Sequence, residues 1–298
     1  LRRGIALTPV KFGISFTATM LNQGGALVNI YMDGSVVVNH GGTEMGQGLN
    51  TKMAQVAADA LGAAVKVVRV TATDTQKVPN ASATAASSGA DINGAAVNNA
   101  CGPLRERLTQ VAANMLGCAP DAVLIANGEV KCTDGSTDKV VAWKDLAKQA
   151  WLDRVSLSSS GFYMTPDIAY DFTTLQGKAF YYYCYGAAVT ETEIDTRTGE
   201  WWLKGVDIVH DVGQSINPAI DKGQIEGAYV QGMGWLTMEQ IIWDKKGKLL
   251  THGPSTYKIP VAGDIPAHFN VSFFENQNVK PTPFRSKAVG EPPLMLAL

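Results

Sequence analysis

Along this chain, stretches of alternating apolar and polar residues give way repeatedly to stretches with apolar residues every three or four positions. Residues 24–40 follow the first pattern. Apolar residues dominate Ala26 to Tyr31 and Val36 to Val38, and Asp33-Gly34 supplies the turn of a β-hairpin. A glycine-rich loop leads to a helix from about Gln47 to Leu61, with Leu49, Met53, Val56, Ala57 and Ala60 on one face. Val65 to Thr71 is β-branched and predicts a strand. The small, polar residues 79–90 predict a loop, followed by a helix over roughly Ile92 to Leu116 with a break at Gly102-Pro103.

Farther on, residues 117–140 predict a short strand pair with turns at Asn127-Gly128 and Asp134-Gly135. Val141 to Trp151 predicts a short amphipathic helix, and residues 156–178 read as loop-rich. Tyr181 to Ile194 and Trp201 to Asp211 form a long hairpin across Asp195 to Gly199, before a glycine-containing loop and a helix from about Pro218 to Trp235. Strand, turn, strand, glycine loop and helix thus occur twice. Mixed strands and helices of this kind predict an α+β fold with two related lobes of mixed β-sheet and packed helices, drawn here as residues 1–160 and 161–298.

Composition narrows the function classes. The chain has 298 residues, 46% hydrophobic and 17% charged, which suits a folded core rather than disorder. A formal net charge of -2 without a long basic run gives no support to nucleic-acid or membrane-surface binding. Cys101, Cys118, Cys132 and Cys184 contain no Cys-x-x-Cys pair. That argues against an iron–sulfur site, a zinc knuckle or a disulfide framework, and predicts free reduced thiols in a cytoplasmic protein. No stretch is long and apolar enough to span a bilayer. Leu1-Arg2-Arg3-Gly4 lacks an initiator Met, and the apolar run Pro293 to Leu298 resembles an interrupted helix, so both ends read as cut from a longer polypeptide.

Four segments are candidates for chemistry. Gly41 to Gly48 holds four glycines at a strand-to-helix junction, where backbone amides and a helix N-terminus suit a phosphate. Spacing alone favours the plainer reading, a tight loop with a capped helix. Thr84 to Gly89, following Pro79 to Ala83, offers small side chains and hydroxyls to a bulky ligand, or serves as an Ala/Ser linker. In Lys287-Ala288-Val289-Gly290-Glu291-Pro292-Pro293, proline forces Glu291 into extended geometry. Apolar neighbours on both sides would desolvate the carboxylate and raise its pKa, with Lys287 as the nearest possible counter-charge; the alternative, an exposed turn glutamate, is the commoner fate of a lone Glu. Lys11 to Thr17 is a short aromatic strand in which Phe16 could face a planar substrate and Thr17 could hydrogen-bond it, with core packing as the alternative. The four histidines lack metal-ligand spacing, and His40 and His210 read as structural.

Taken in order, Phe12 to Thr17, Leu21 to Gln23, His40 to Gly48, Thr84 to Ser87, Asn217 to Ala219, Gln231-Gly232, Gly253 to Pro260 and Lys287 to Pro293 resemble the xanthine dehydrogenase/aldehyde oxidase family. The resemblance covers essentially the whole chain. Phe12 to Thr17 and Asp153 to Ser158 look like its xanthine branch. It implies the C-terminal part of a molybdenum subunit, with molybdenum held by the dithiolene of molybdopterin and by no protein side chain. By resemblance, Met45, Gly46, Gln47, Ser87 and Gln231 would contact the cofactor, and Ala86 would lie beside the metal with Ala85 in the same loop. Phe16 and Thr17 would meet a purine, and Glu291 would be the catalytic base.

The implied reaction is hydroxylation of hypoxanthine to xanthine to urate. The alternatives are another N-heterocycle, an aldehyde, or a non-catalytic remnant serving as an assembly module. The implied partners are the upstream remainder of the subunit and domains carrying 2Fe-2S clusters and FAD, within a homodimer of heterodimers.

Overall fold

Residues 23–40 alternate because one face of the pair they form is buried: Ala26, Val28, Ile30, Val36 and Val38 are all inaccessible to solvent. The computed structural model describes residues 1–78 and 81–297, so Pro79 and Asn80 of the predicted small-residue loop lie outside the described residues. In chain order the elements are β1 (Arg2–Ile14), β2 (Gln23–Ile30), β3 (Val36–His40), α1 (Leu49–Leu61), β4 (Val68–Val70) and α2 (Gly89–Leu116). There follow β5 (Val123–Ala126), β6 (Glu129–Cys132), β7 (Val140–Ala142), α3 (Trp143–Leu152), β8 (Ser158–Met164), β9 (Ala169–Asp171) and β10 (Gln176–Lys178). The last are β11 (Tyr182–Ile194), β12 (Trp201–His210), α4 (Pro218–Thr237) and β13 (His268–Phe273).

The chain forms two compact units. One comprises residues 1–14, 182–279 and those from Arg285 onward; the other comprises residues 15–181 and 280–284. The division therefore does not fall after residue 160. β1 pairs along its whole length with β11, which carries the N-terminus into the unit built mainly from the second half. β8 runs across residue 160 and pairs with β2, which keeps it with the first half.

Each unit contains a four-stranded sheet, and the two sheets share one succession of strand pairings, although the edge strand comes first in the chain in one (β1) and last in the other (β8). In the first unit the order is β1-β11-β12-β13, antiparallel twice and then parallel. In the second it is β8-β2-β3-β4, with the same succession of pairings. In both, a helix follows the hairpin and the chain returns as the parallel strand: β3–α1–β4 and β12–α4–β13. The twofold recurrence of hairpin, glycine loop and helix reflects this shared plan.

Local departures from the expected elements have identifiable causes. β1 extends back to Arg2, where ladder pairing compensates for weak strand character. Residues 65–67 form a 3-10 turn, leaving only Val68–Val70 as strand. Ser158–Met164 is a strand in a region expected to be loop-rich. Its small residues serve packing: a β-carbon at Gly161 would lie 2.3 Å from the Ala96 carbonyl oxygen and the Ala100 nitrogen of α2. The helix continues through Pro103. Gly102 before it has no β-carbon to clash with the proline ring, which relaxes the usual break. Cys118 and Cys132 are joined by a disulfide rather than free. Gly117, left-handed at φ +75, turns the chain at the end of α2, and the β5–β6 hairpin returns Cys132 to it. Cys101 and Cys184 are free and buried. No helix among the described residues is long and apolar enough to cross a membrane.

Candidate active site

In the second unit, β3 ends at His40 and the chain enters the glycine-rich loop. His40 is buried, accepts from the Gly42 amide at Nδ1 (3.1 Å) and pairs through Nε2 with Asn50 Oδ1 (3.0 Å). Burial lowers its pKa against the opposing pull of Asn50 and Asn93, so it braces the loop as a neutral ring. Glu44 then folds over the start of α1. Its carboxylate accepts from the amides of Gly46 (2.9 Å), Gly48 (3.0 Å) and Asn50 (2.8 Å). Burial pushes the Glu44 pKa up, but these three amides and His40 outweigh it, and the net shift is downward.

This arrangement changes the expectation that the helix start would receive a phosphate, because the chain's own carboxylate takes that position. Sequence reading missed it, although an acidic residue just before a helix was the available signal. Thr43, Glu44, Met45 and Gly46 are exposed, and Gln47 is half-buried. Gln47 Nε2 donates to the Thr43 carbonyl (2.8 Å). Gly46 sits at φ +99 and a β-carbon there would meet nothing within 4 Å, so its backbone faces open space.

The Ala/Ser loop lies against this one. The Thr43 amide donates to Thr84 Oγ1 at 2.8 Å, and a β-carbon at Gly41 would lie 2.3 Å from Ala81 Cβ. Two consecutive non-glycine residues, Ala86 and Ser87, are left-handed at φ +53 and +54. Each costs on the order of 1–2 kcal/mol in that region, a strain that concentrates at functional sites. The loop is held by Ser88 donating through its amide and hydroxyl to the Ala85 carbonyl.

Phe16 and Thr17 fall just beyond the end of β1, both half-buried. Buried Asn22 grips Phe16 from both sides, accepting from its amide and donating to its carbonyl at 2.8 Å each. Next to Asn22, the Gln23 carbonyl accepts from Ser82 Oγ (3.1 Å). Hydrogen bonds thus link all three candidate segments of this unit.

In the first unit, Glu291 stands exposed between buried neighbours. Ala288, Val289, Pro292 and Pro293 point into the unit, whereas Gly290 and Glu291 do not. The expected desolvation is absent from this chain because the prolines open a 3-10 turn over Pro292–Ala297 that buries Pro292, Pro293 and Leu296 and leaves Glu291 at its outer edge. Lys287 is not the counter-charge of Glu291. Its ammonium meets Asp211 Oδ2 at 2.5 Å, with both side chains under 10% exposed. Gln231 is exposed on α4. The adjacent Gly232 lets α4 touch the Glu291 segment, since a β-carbon there would lie 2.1 Å from the Leu294 carbonyl oxygen. Asn217 caps α4 by accepting from the Ile220 amide, and Pro218 occupies its first turn.

His210, at the end of β12, is 0% exposed and neither ring nitrogen finds a hydrogen-bond partner among the described residues. Burial lowers its pKa to about 4, against an opposing pull from Asp211. The unfolded chain therefore binds this proton first, and stability is lost as pH falls from about 6.5 towards 4. The expected loss is on the order of 3 kcal/mol across that window. His210→Leu should flatten the pH dependence of the melting temperature between pH 7 and 5; an unchanged slope contradicts this account.

Among the described residues, no group of three or more His, Cys, Asp and Glu side chains could hold a metal ion. Residues 1–266 match the family described as molybdopterin cofactor-binding domain. The chain is 48% identical over 297 residues to a xanthine dehydrogenase/oxidase of Gallus gallus, covering 99% of this chain and 20% of the relative. It is 48% identical over 299 residues to a xanthine dehydrogenase of Emericella nidulans, with the same coverage. It thus spans about one-fifth of the length of these relatives. Among solved structures, quinoline 2-oxidoreductase from Pseudomonas putida 86 superposes with a TM-score of 0.84 at 26% identity, over 99% of this chain and 37% of that one. CO dehydrogenase from Oligotropha carboxidovorans shares the fold, with a TM-score of 0.85 at 21% identity over 99% and 36% of the two chains.

Proposed function

The chain belongs to the molybdopterin cofactor-binding domains of the xanthine dehydrogenase family, and on that premise we propose that it serves the hydroxylation of a purine, hypoxanthine to xanthine to urate. The observation that carries this reading is the pair of abutting loops, residues 41–48 and 81–88, joined by Thr43 and Thr84 and strained at Ala86-Ser87. Open backbone at Gly46 and the small side chains of Ala85 and Ala86 suit close approach by a large, flat cofactor. The absence of a metal-ligating cluster among the described residues fits a metal held by its own organic ligand.

In this reading Met45, Gly46, Gln47, Ser87 and Gln231 hold the pterin. Ala86 leaves room beside the metal. When bound, the molybdenum cofactor supplies the two-electron redox chemistry of the hydroxylation. Phe16 packs edge-on against the purine and Thr17 hydrogen-bonds it. The Glu291 carboxylate takes the proton from the oxygen nucleophile. Its exposure within this chain means that the dryness suited to a general base comes from the bound cofactor and the rest of the subunit. That remainder, together with 2Fe-2S and FAD domains that carry the electrons away, completes a cytoplasmic enzyme in this proposal.

The likeness to quinoline 2-oxidoreductase favours one other reading, hydroxylation of a different N-heterocycle. Molybdenum and pterin analysis of the full-length protein, with turnover of xanthine, hypoxanthine, quinoline and an aldehyde, separates them. Bound molybdenum with preferential oxidation of the two purines is expected. Protein that takes up no molybdenum, or that prefers quinoline or the aldehyde, overturns the purine assignment.

A further inference from the structure

The segment leading to Glu291 is held far more tightly than a surface turn requires. Asp211 follows β12, and its carboxylate accepts from Lys287 Nζ, from Asn276 Nδ2 (3.2 Å) and from the Gly213 amide (3.0 Å). The Lys287 amide donates to the Val212 carbonyl (2.8 Å), so the two chains are also joined by backbone. Gly213, at φ +60, permits the contact, because a β-carbon there would lie 2.4 Å from the Arg285 carbonyl oxygen. One residue after Lys287, buried Tyr182 accepts the Ala288 amide at its hydroxyl (2.9 Å), and Cys184 Sγ donates to the Ala288 carbonyl (3.0 Å). Val289 lies in the core cluster of this unit. Every residue from Lys287 to Val289 is therefore fixed by charge, hydrogen bond or packing, and the chain emerges at Gly290-Glu291.

A buried ion pair is a poor way to gain stability, since desolvating both charges offsets most of their attraction. Its value is geometric: one ammonium and one carboxylate satisfy each other in one register only. From this we infer that the Asp211–Lys287 pair is a positioning device for Glu291, fixing the backbone from which the carboxylate projects. The inference rests on the reading of Glu291 as the base. Neither Asp211 nor Lys287 is assigned contact with substrate, so both act through the segment they clamp.

The test uses the full-length molybdenum enzyme carrying Asp211→Asn, Lys287→Met, both together, or Glu291→Gln. Each single variant leaves one charge buried without its partner and can fail to fold. The double variant removes both charges and keeps the question answerable. Its expected behaviour is retained molybdenum content, an unchanged KM for xanthine, and kcat per molybdenum lowered about 10- to 100-fold by displacement of Glu291. Hydrogen exchange in the peptide covering residues 286–291 should accelerate.

Loss of turnover in Glu291→Gln beside wild-type kcat and exchange in the double variant overturns the positioning role alone. Wild-type turnover in Glu291→Gln overturns the assignment of the base and the positioning role with it.

Discussion

Glu291→Gln in the complete enzyme is expected to lower turnover about 10²- to 10⁴-fold, the contribution of a placed general base. The exchange keeps the size and shape of the side chain and removes its negative charge and its capacity to take a proton. Glu291 is exposed within its unit, and the neighbours that fix the segment, Ala288, Val289, Pro292 and Pro293, are untouched. Folding and cofactor uptake should therefore remain near wild type. Kinetics normalised to molybdenum content, with melting temperature as the control, make the check. A variant that loses activity only in proportion to its molybdenum content points to a structural role instead.

Gly232→Val is expected to damage the same site from α4. A β-carbon at this position would lie 2.1 Å from the Leu294 carbonyl oxygen and 3.1 Å from Ala297 Cβ, so the helix and the Pro292–Ala297 turn must separate. The Leu294 amide donates to the Glu291 carbonyl, and that movement is passed directly to Glu291. Overpacking of this kind costs about 1–3 kcal/mol, and a displacement of about 1 Å at the reacting group costs about 10²-fold in rate. Gly232→Ala should show a weaker form of both effects. A Gly232→Val protein with unchanged kcat and melting temperature contradicts the close packing.

Much of this architecture was legible from hydrophobic pattern. The hairpins β2–β3 and β11–β12 and the helix α1 appear where alternation and three-to-four spacing place them, because each buries one face, and α4 follows its glycine-containing loop as expected. The division into units was not legible, since it depends on β1 finding β11 more than 160 residues away. Ser158–Met164 was missed because its run of serines leaves no apolar signature, and Gly161, which allows close approach to α2, adds none. The Cys118–Cys132 pairing likewise depends on the turn at Gly117 and the β5–β6 hairpin rather than on spacing.

At the candidate site, small residues and proline were the signals that singled out the segments. They gave no sign of the Thr43–Thr84 link, the Glu44 cap or the Asp211–Lys287 pair. Each of these contacts depends on where the folded backbone carries a side chain. Lys287 was read as the counter-charge of its sequence neighbour Glu291, whereas its partner lies 76 positions away.

The central claim is that Glu291 removes the proton in a purine hydroxylation at this cofactor domain. Its most direct test is an anaerobic single turnover with xanthine and no external electron acceptor, comparing the wild-type enzyme with Glu291→Gln at equal molybdenum content. Without an acceptor, only the step served by this chain contributes. Rapid urate formation by the wild type, with formation by the variant slowed about 10²-fold or more, is the predicted result. Urate appearing at the same rate in both proteins would contradict it.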